Sequence, residues 1–194
     1  MNEEWNVLDS HVSVLLRGLV PFRKLTYQES LYFAEQQATV LLKLVHVYEP
    51  PIQVEKLVQE VGLAVEVRDD PTQSTPGRSY FDHDRGEWII TLNLGLGHYG
   101  RGFVIAHEIK HILDDGFGPT LYRPVDIMTT NQREEYVAQY FAACLVMPRL
   151  WVERSWRQGE QSVEAMAIQF SVAPACMRLR LEAKGLLGDE KEPS

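Results

Sequence analysis

The chain has 194 residues, of which 45% are hydrophobic and 24% charged, and its formal net charge is −8. This composition is typical of a globular protein with a sizeable core. The acidic balance argues against nucleic acid or an anionic membrane as the main partner. The N-terminus lacks a basic segment followed by an apolar run, and no apolar stretch reaches the roughly 20 residues of a membrane span. We therefore expect a cytoplasmic protein with no membrane partner.

The two cysteines agree with that location. Cys144 and Cys176 lie in segments with helical apolar spacing, and neither belongs to a C-x-x-C pair. We interpret both as small apolar residues carrying free thiols, which suits a reducing compartment.

Apolar spacing predicts three helices in the first third of the chain. A short helix is expected over Val7–Leu19. A longer helix over Thr26–His46 begins with a Thr-x-x-Glu capping box. A third helix covers Val54–Val61 and ends at Gly62.

Three strands are predicted next. Alternating and β-branched residues indicate strands at Leu63–Val67, Arg78–Asp82 and Trp88–Asn93, and Asp84–Glu87 is typical of a hairpin turn. Asp69–Arg78 is expected to be a loop, because it holds two prolines and a glycine among small polar residues. We expect Trp88–Asn93 to offer an edge to which a peptide could add as a further strand.

The rest of the chain is predicted to be helical apart from its connecting segments. Phe103–Asp114 forms the first of these helices, and Gly116–Met128 is expected to be a loop. Asn131 and Glu134 are expected to cap the next helix, which stops before Pro148.

The C-terminal part has the spacing of a helix-turn-helix pair. A short helix over Arg149–Gln158 precedes the two members of the pair, Ser162–Phe170 and Pro174–Lys184. The predicted fold is therefore α+β: mainly helical, with a small three-stranded antiparallel sheet and a C-terminal helix-turn-helix-like pair. We divide the chain into an N-terminal extension helix (1–25), a core (26–150), a C-terminal helical region (151–187) and a disordered tail (188–194).

The pattern His-Glu-x-x-His, from His107 to His111, points to a metal site. Two histidines four residues apart lie on one side of a helix, where their imidazoles can bind one zinc ion. Glu108 is then placed to reach a water on the metal rather than the metal itself. The alternative is that both histidines are ordinary helical residues.

A zinc site with two histidines still needs a carboxylate ligand. Glu134 and Glu135 are the candidates on the next helix, and we choose Glu135. It shares a helix face with Ala138 and Ala142, whose small side chains would let the two helices lie close together. Glu134 is better used in the helix cap. The alternative for Glu135 is a solvated surface charge.

Three further charges lie near the motif. Asp114 and Asp115 follow His111 by three and four residues, so either could accept the free N–H of a ligand imidazole. They could equally be charges at a helix end. Lys110 is expected, from its helical phase, to point away from the metal into solvent.

These residues resemble the ImmA/IrrE-type metallopeptidases over roughly residues 26–187. The resemblance is carried by the segments Ile90–Asn93, Phe103–Asp114, Glu135–Pro148, Phe170–Val172 and Met177–Leu181. It implies a zincin-like arrangement, in which His107, His111 and Glu135 bind a divalent metal, usually zinc but with manganese also open. It further implies that Glu108 is the catalytic base, and that the substrate is a helix-turn-helix repressor whose cleavage relieves repression.

The rival interpretation is a binding or regulatory protein with a structural or sensory metal and little turnover. The second helix of the C-terminal pair offers Arg178, Arg180 and Lys184 against Glu182. That modest basic charge on an acidic chain argues against DNA binding. Packing or protein docking is the other interpretation of this pair.

Overall fold

The computed structural model describes residues 11–69, 75–124 and 128–187, so the predicted tail and the start of the predicted first helix lie outside it. No helix within those ranges is both long and apolar enough to cross a membrane. The elements are α1 (His11–Gly18), α2 (Tyr27–Leu44), α3 (Val54–Glu60), β1 (Ala64–Arg68), β2 (Gly77–Asp82), β3 (Glu87–Asn93), α4 (His98–Asp114), α5 (Gly118–Leu121), α6 (Thr130–Val146), α7 (Arg149–Arg157), α8 (Val163–Phe170) and α9 (Pro174–Ala183).

Local signals placed the first helices correctly. The Thr26 hydroxyl accepts from the Glu29 backbone N–H, and the Glu29 carboxylate accepts from the Thr26 backbone N–H, which confirms the capping box of α2. Gly62 follows α3 with a φ of 75°, a left-handed conformation that glycine adopts without strain.

The sheet is mixed rather than purely antiparallel, so that part of the predicted fold is wrong. The strand order is β1-β3-β2. β2 and β3 form the predicted antiparallel hairpin, whereas β1 runs parallel to β3 on its other side. Residue periodicity indicates which segments are strands, but it carries no information about the direction in which a neighbour outside a hairpin runs.

β3 is the central strand, which overturns its predicted role as an edge for peptides. Both of its edges are paired, and the four residues from Ile89 to Leu92 are buried. A continuous apolar run is typical of a strand covered on both faces. Within the described ranges, the strand with a free edge beside α4 is β2.

Helices α4 and α6 pack side by side and form the centre of the molecule. Ala138 and Ala142 on α6 are completely buried, as expected for small residues at a close helix contact. The N-terminal cap of α6 differs from the prediction. Thr129 and Gln132 make the capping box instead of Asn131 and Glu134, because the helix begins two residues earlier.

The segment predicted as a loop after α4 contains the short helix α5. A proline in its first turn fixes a helical φ, and Leu121 is buried at its end. At the same C-terminal end of α4, α1 makes a further contact. The Arg17 guanidinium donates to the carbonyls of Ile112 and Leu113, two of the last carbonyls of the helix.

The predicted C-terminal pair is present as α8 and α9, which pack against each other. Ser171 adopts a left-handed conformation at the turn, with a φ of 55°. Arg180 is buried and donates from Nε to the Met147 carbonyl, so it holds α9 to the core. Helix α9 therefore presents less basic charge to solvent than its sequence indicates.

Candidate metal and catalytic site

Two adjacent helices bring the three predicted metal ligands together. His107 and His111 lie one turn apart on α4, and their Nε2 atoms are 3.0 Å apart. Glu135 reaches them from α6, with Oε2 at 3.4 Å from His107 Nε2 and Oε1 at 3.4 Å from His111 Nε2. Among the histidine, cysteine and carboxylate side chains of the described residues, these three lie close enough together to share one metal ion.

The spacing of these donor atoms fits a small tetrahedral ion. Metal–ligand distances of roughly 2.0–2.1 Å place any two ligand atoms of a tetrahedral zinc site about 3.3 Å apart. The two Nε2 atoms are 3.0 Å apart, and each lies 3.4 Å from one Glu135 oxygen, Oε2 for His107 and Oε1 for His111, so these spacings are close to that value. We call His107, His111 and Glu135 the donor triangle. Two imidazoles and a carboxylate also leave a fourth position for water or substrate.

Both histidines are electrostatically suited to bind a cation. Burial lowers the pKa of His107 and of His111, although the carboxylate of Glu135 acts in the opposite direction on both. A lowered pKa keeps each imidazole neutral down to a more acidic pH than an ordinary histidine. Since only the neutral ring offers a lone pair to a metal, protons compete weakly with an ion at neutral pH.

Glu108 lies beside the donor triangle in a nearly closed environment. Its exposed fraction is 7%, and its Oε2 accepts a hydrogen bond of 2.8 Å from the Ser79 hydroxyl. Burial raises the pKa of Glu108, while the hydrogen bond from Ser79 and the charge of His107 lower it. A carboxylate whose pKa is moved towards neutrality is better matched to taking and returning a proton.

The site opens into a cleft of about 640 Å³. One wall is β2 with the residues just before it, Thr75 to Ser79, and the other walls come from α4 and α6. Gln139 of α6 lies at the cleft, one turn beyond Glu135. The donor triangle and Glu108 therefore face a space that is bordered by the edge strand of the sheet.

Lys110 does not point into solvent, so its prediction is wrong. It is 1% exposed, and its Nζ donates to Asp114 Oδ1 at 2.5 Å and to the Tyr122 hydroxyl at 3.2 Å. The Tyr122 hydroxyl donates in turn to Asp114 Oδ2 at 2.6 Å. The segment containing α5 folds back over this side of α4 and buries it, which the phase of a single helix cannot indicate.

These contacts bear on the residues predicted to orient a histidine ring. Both Asp114 oxygens already accept from Lys110 and Tyr122, and Asp115 is exposed at the end of α4. An orienting role for either aspartate stays a prediction. Sequence reasoning missed Tyr122 and Ser79 altogether, since no local spacing links them to the motif.

Glu134 and Glu135 can be separated by experiment. The Glu134 carboxylate lies against α5, where a Cβ added to Gly118 would overlap it. Among the described residues, the group close enough to share one ion contains Glu135 and not Glu134. Glu135→Ala is expected to weaken metal affinity by at least ~100-fold, more than the loss of an outer hydrogen-bond partner. Glu134→Ala, the matched control, should keep wild-type affinity. Competition against a chromophoric chelator measures both, and the reverse pattern would identify Glu134 as the ligand.

Comparisons with known proteins identify the family and the fold. The family model described as Peptidase M78, IrrE N-terminal-like domain, matches residues 58–182, a range that contains the donor triangle and Glu108. A solved structure of a transcriptional regulator from Mycobacterium tuberculosis has the same fold, with a TM-score of 0.62 at 16% identity. The likeness covers 88% of this chain and 51% of the regulator, so this chain spans about half the length of that protein. No curated protein matches the sequence significantly.

Proposed function

Because the chain belongs to the Peptidase M78 family, as an IrrE N-terminal-like domain, we propose that it is a zinc-dependent endopeptidase. We propose further that it cleaves a helix-turn-helix repressor and so relieves transcriptional repression. The observation that carries the enzymatic part is the donor triangle of His107, His111 and Glu135 beside the buried carboxylate of Glu108. A structural metal site would not need a buried base next to it.

The chemistry follows from the positions of these groups. When bound, a divalent metal supplies a Lewis acid that lowers the pKa of water and polarises a carbonyl. His107, His111 and Glu135 would hold that ion. Glu108 takes a proton from the attacking water and returns it to the leaving amine, a transfer that its raised pKa favours.

The cleft supports an extended peptide as substrate. β2 borders it with an edge that is free within the described part of the chain, so a peptide backbone can add there through main-chain hydrogen bonds. A repressor as the source of that peptide is supported by the family and by the fold shared with a transcriptional regulator.

Zinc is the proposed metal because two imidazoles and one carboxylate form a ligand set of catalytic zinc. Manganese accepts the same donors. We place the activity in the cytoplasm, on the support of two free thiols, Cys144 and Cys176.

Cleavage of a repressor tests the proposal. The purified protein, loaded with Zn²⁺ or Mn²⁺, is incubated with helix-turn-helix repressors of the same organism, and products are identified by mass spectrometry. We expect one or a few defined cuts, abolished by a chelator and restored by metal. Unchanged cleavage after verified removal of the metal would contradict the mechanism. A metal-loaded protein that binds the repressor without cutting it would favour the regulatory alternative.

A further inference from the structure

We infer that Ser79 is a positioning residue, which holds the carboxylate of Glu108 in the orientation needed for proton transfer, and that Gly77 sets the helix–strand distance at which it can do so. The inference rests on the proposed function, and it adds two residues of the edge strand to the machinery of the site.

The hydrogen bond between Ser79 and Glu108 joins two distant parts of the chain. Ser79 Oγ on β2 donates to Glu108 Oε2 on α4 across 29 residues of sequence, at 2.8 Å. Glu108 is nearly closed off from solvent, so bulk water cannot readily replace this partner. A buried carboxylate with one oxygen tied to the strand retains its other oxygen for the reacting proton.

The packing of α4 on β2 explains why the two groups meet. One helical turn separates Val104 from Glu108, a rise of about 6 Å. Two strand residues separate Gly77 from Ser79, a rise of about 6.7 Å. The two repeats therefore match, so that Val104 lies over Gly77 while Glu108 lies over Ser79.

Gly77 is required for this close approach. A Cβ at residue 77 would overlap the Val104 side chain and press on the Thr91 carbonyl at 3.2 Å. Helix α4 would then have to move away from β2. Since Glu108 is on the same face of that helix one turn later, the movement would lengthen its hydrogen bond to Ser79.

Loss of the hydroxyl should reduce turnover rather than binding. Ser79→Ala leaves the donor triangle intact and keeps the Ser79 backbone N–H beside Glu108, but it removes the hydroxyl bond that fixes Oε2. We expect kcat to fall roughly 10- to 100-fold, the usual effect of removing an orienting partner. The KM for the repressor and the metal content should stay at wild-type values. Ser79→Thr keeps a hydroxyl and should recover most of the kcat.

The experiment compares wild type, Ser79→Ala, Ser79→Thr and a matched control in repressor cleavage. The control is Ser30→Ala, which also removes a buried hydroxyl with one hydrogen bond, from Ser30 Oγ to the Tyr27 carbonyl, but on α2. Its kcat should equal that of wild type. A Ser79→Ala protein with wild-type kcat, or with reduced metal content that accounts for the loss, would overturn the positioning role.

A second readout does not depend on activity. In metal-free protein, the infrared difference between wild type and Glu108→Gln isolates the carboxylate stretching band of Glu108. That band should shift in the Ser79→Ala background and return towards its original position in Ser79→Thr. An unshifted band would show that the hydroxyl does not hold the carboxylate, whatever the kinetics.

Gly77→Ala tests whether the distance between α4 and β2 controls the hydrogen bond from Ser79 to Glu108. It should lower kcat when Ser79 is present and add little to the loss in Ser79→Ala, because both changes act on one hydrogen bond. Equal losses in both backgrounds would overturn the role of Gly77. A wild-type protein that cleaves nothing would overturn the proposed function and this inference with it, whereas wild-type cleavage with an unaffected Ser79→Ala overturns the inference alone.

Discussion

Replacing Glu108 by glutamine is expected to lower the kcat of repressor cleavage by about 10²- to 10⁴-fold, the contribution of a general base. Glutamine has nearly the same shape and can still accept the hydrogen bond from the Ser79 hydroxyl, but its amide cannot take a proton. The donor triangle does not include Glu108, so the variant should retain its metal.

Single-turnover cleavage, with elemental analysis of the same sample, measures both effects. Glu55→Gln is the matched control, because Glu55 is exposed on α3 and does not line the cleft. It should cleave at the wild-type rate. If metal-loaded Glu108→Gln cleaved as fast as the control, another group would have to be the base.

Lys110→Met is expected to lower the free energy of unfolding by about 3–5 kcal/mol, the usual cost of removing one partner of a buried ion pair. The Lys110 side chain is 2% exposed and that of Asp114 12% exposed, so neither charge is well solvated. Without the ammonium group, the Asp114 carboxylate keeps the hydrogen bond from the Tyr122 hydroxyl but loses its cationic partner.

A double-mutant cycle separates the ion pair from the lost packing. Asp114→Asn should also destabilise the protein, and the combined variant should lose clearly less than the sum of the two single changes. Urea unfolding of metal-free protein gives the free energies. Lys43→Met, on the exposed side of α2, is the control and should change stability by less than ~0.5 kcal/mol. Additive losses would show that the two charges do not stabilise each other.

Local patterns accounted for much of the candidate site. The motif sets His107 and His111 one turn apart on any helix, and its apolar neighbours predicted that helix. Small residues next to Glu135 indicated a helix that could approach closely, and the structure brings the Glu135 oxygens to 3.4 Å from the two imidazoles. Its role as a ligand stays a prediction.

Contacts between distant segments account for the errors. The parallel pairing of β1 with β3 depends on how the chain returns to the sheet, and the burial of Lys110 depends on the segment that follows α4. The cap of α6 was assigned to the wrong pair because Asn131 and Glu134 have the same spacing as Thr129 and Gln132. In all three cases, the neighbouring residues in the sequence were compatible with both the predicted and the observed arrangement.

The sequence by itself determined the elements that rest on short-range physics: an amphipathic helix with two histidines one turn apart, the capping box of α2 and the β2–β3 hairpin. Only the tertiary structure decided which strand has the free edge, which carboxylate faces the histidines and which hydroxyl reaches Glu108. These depend on how α4 packs against β2 and α6. That packing is a sum of many contacts between residues far apart in the chain, and no local spacing encodes it.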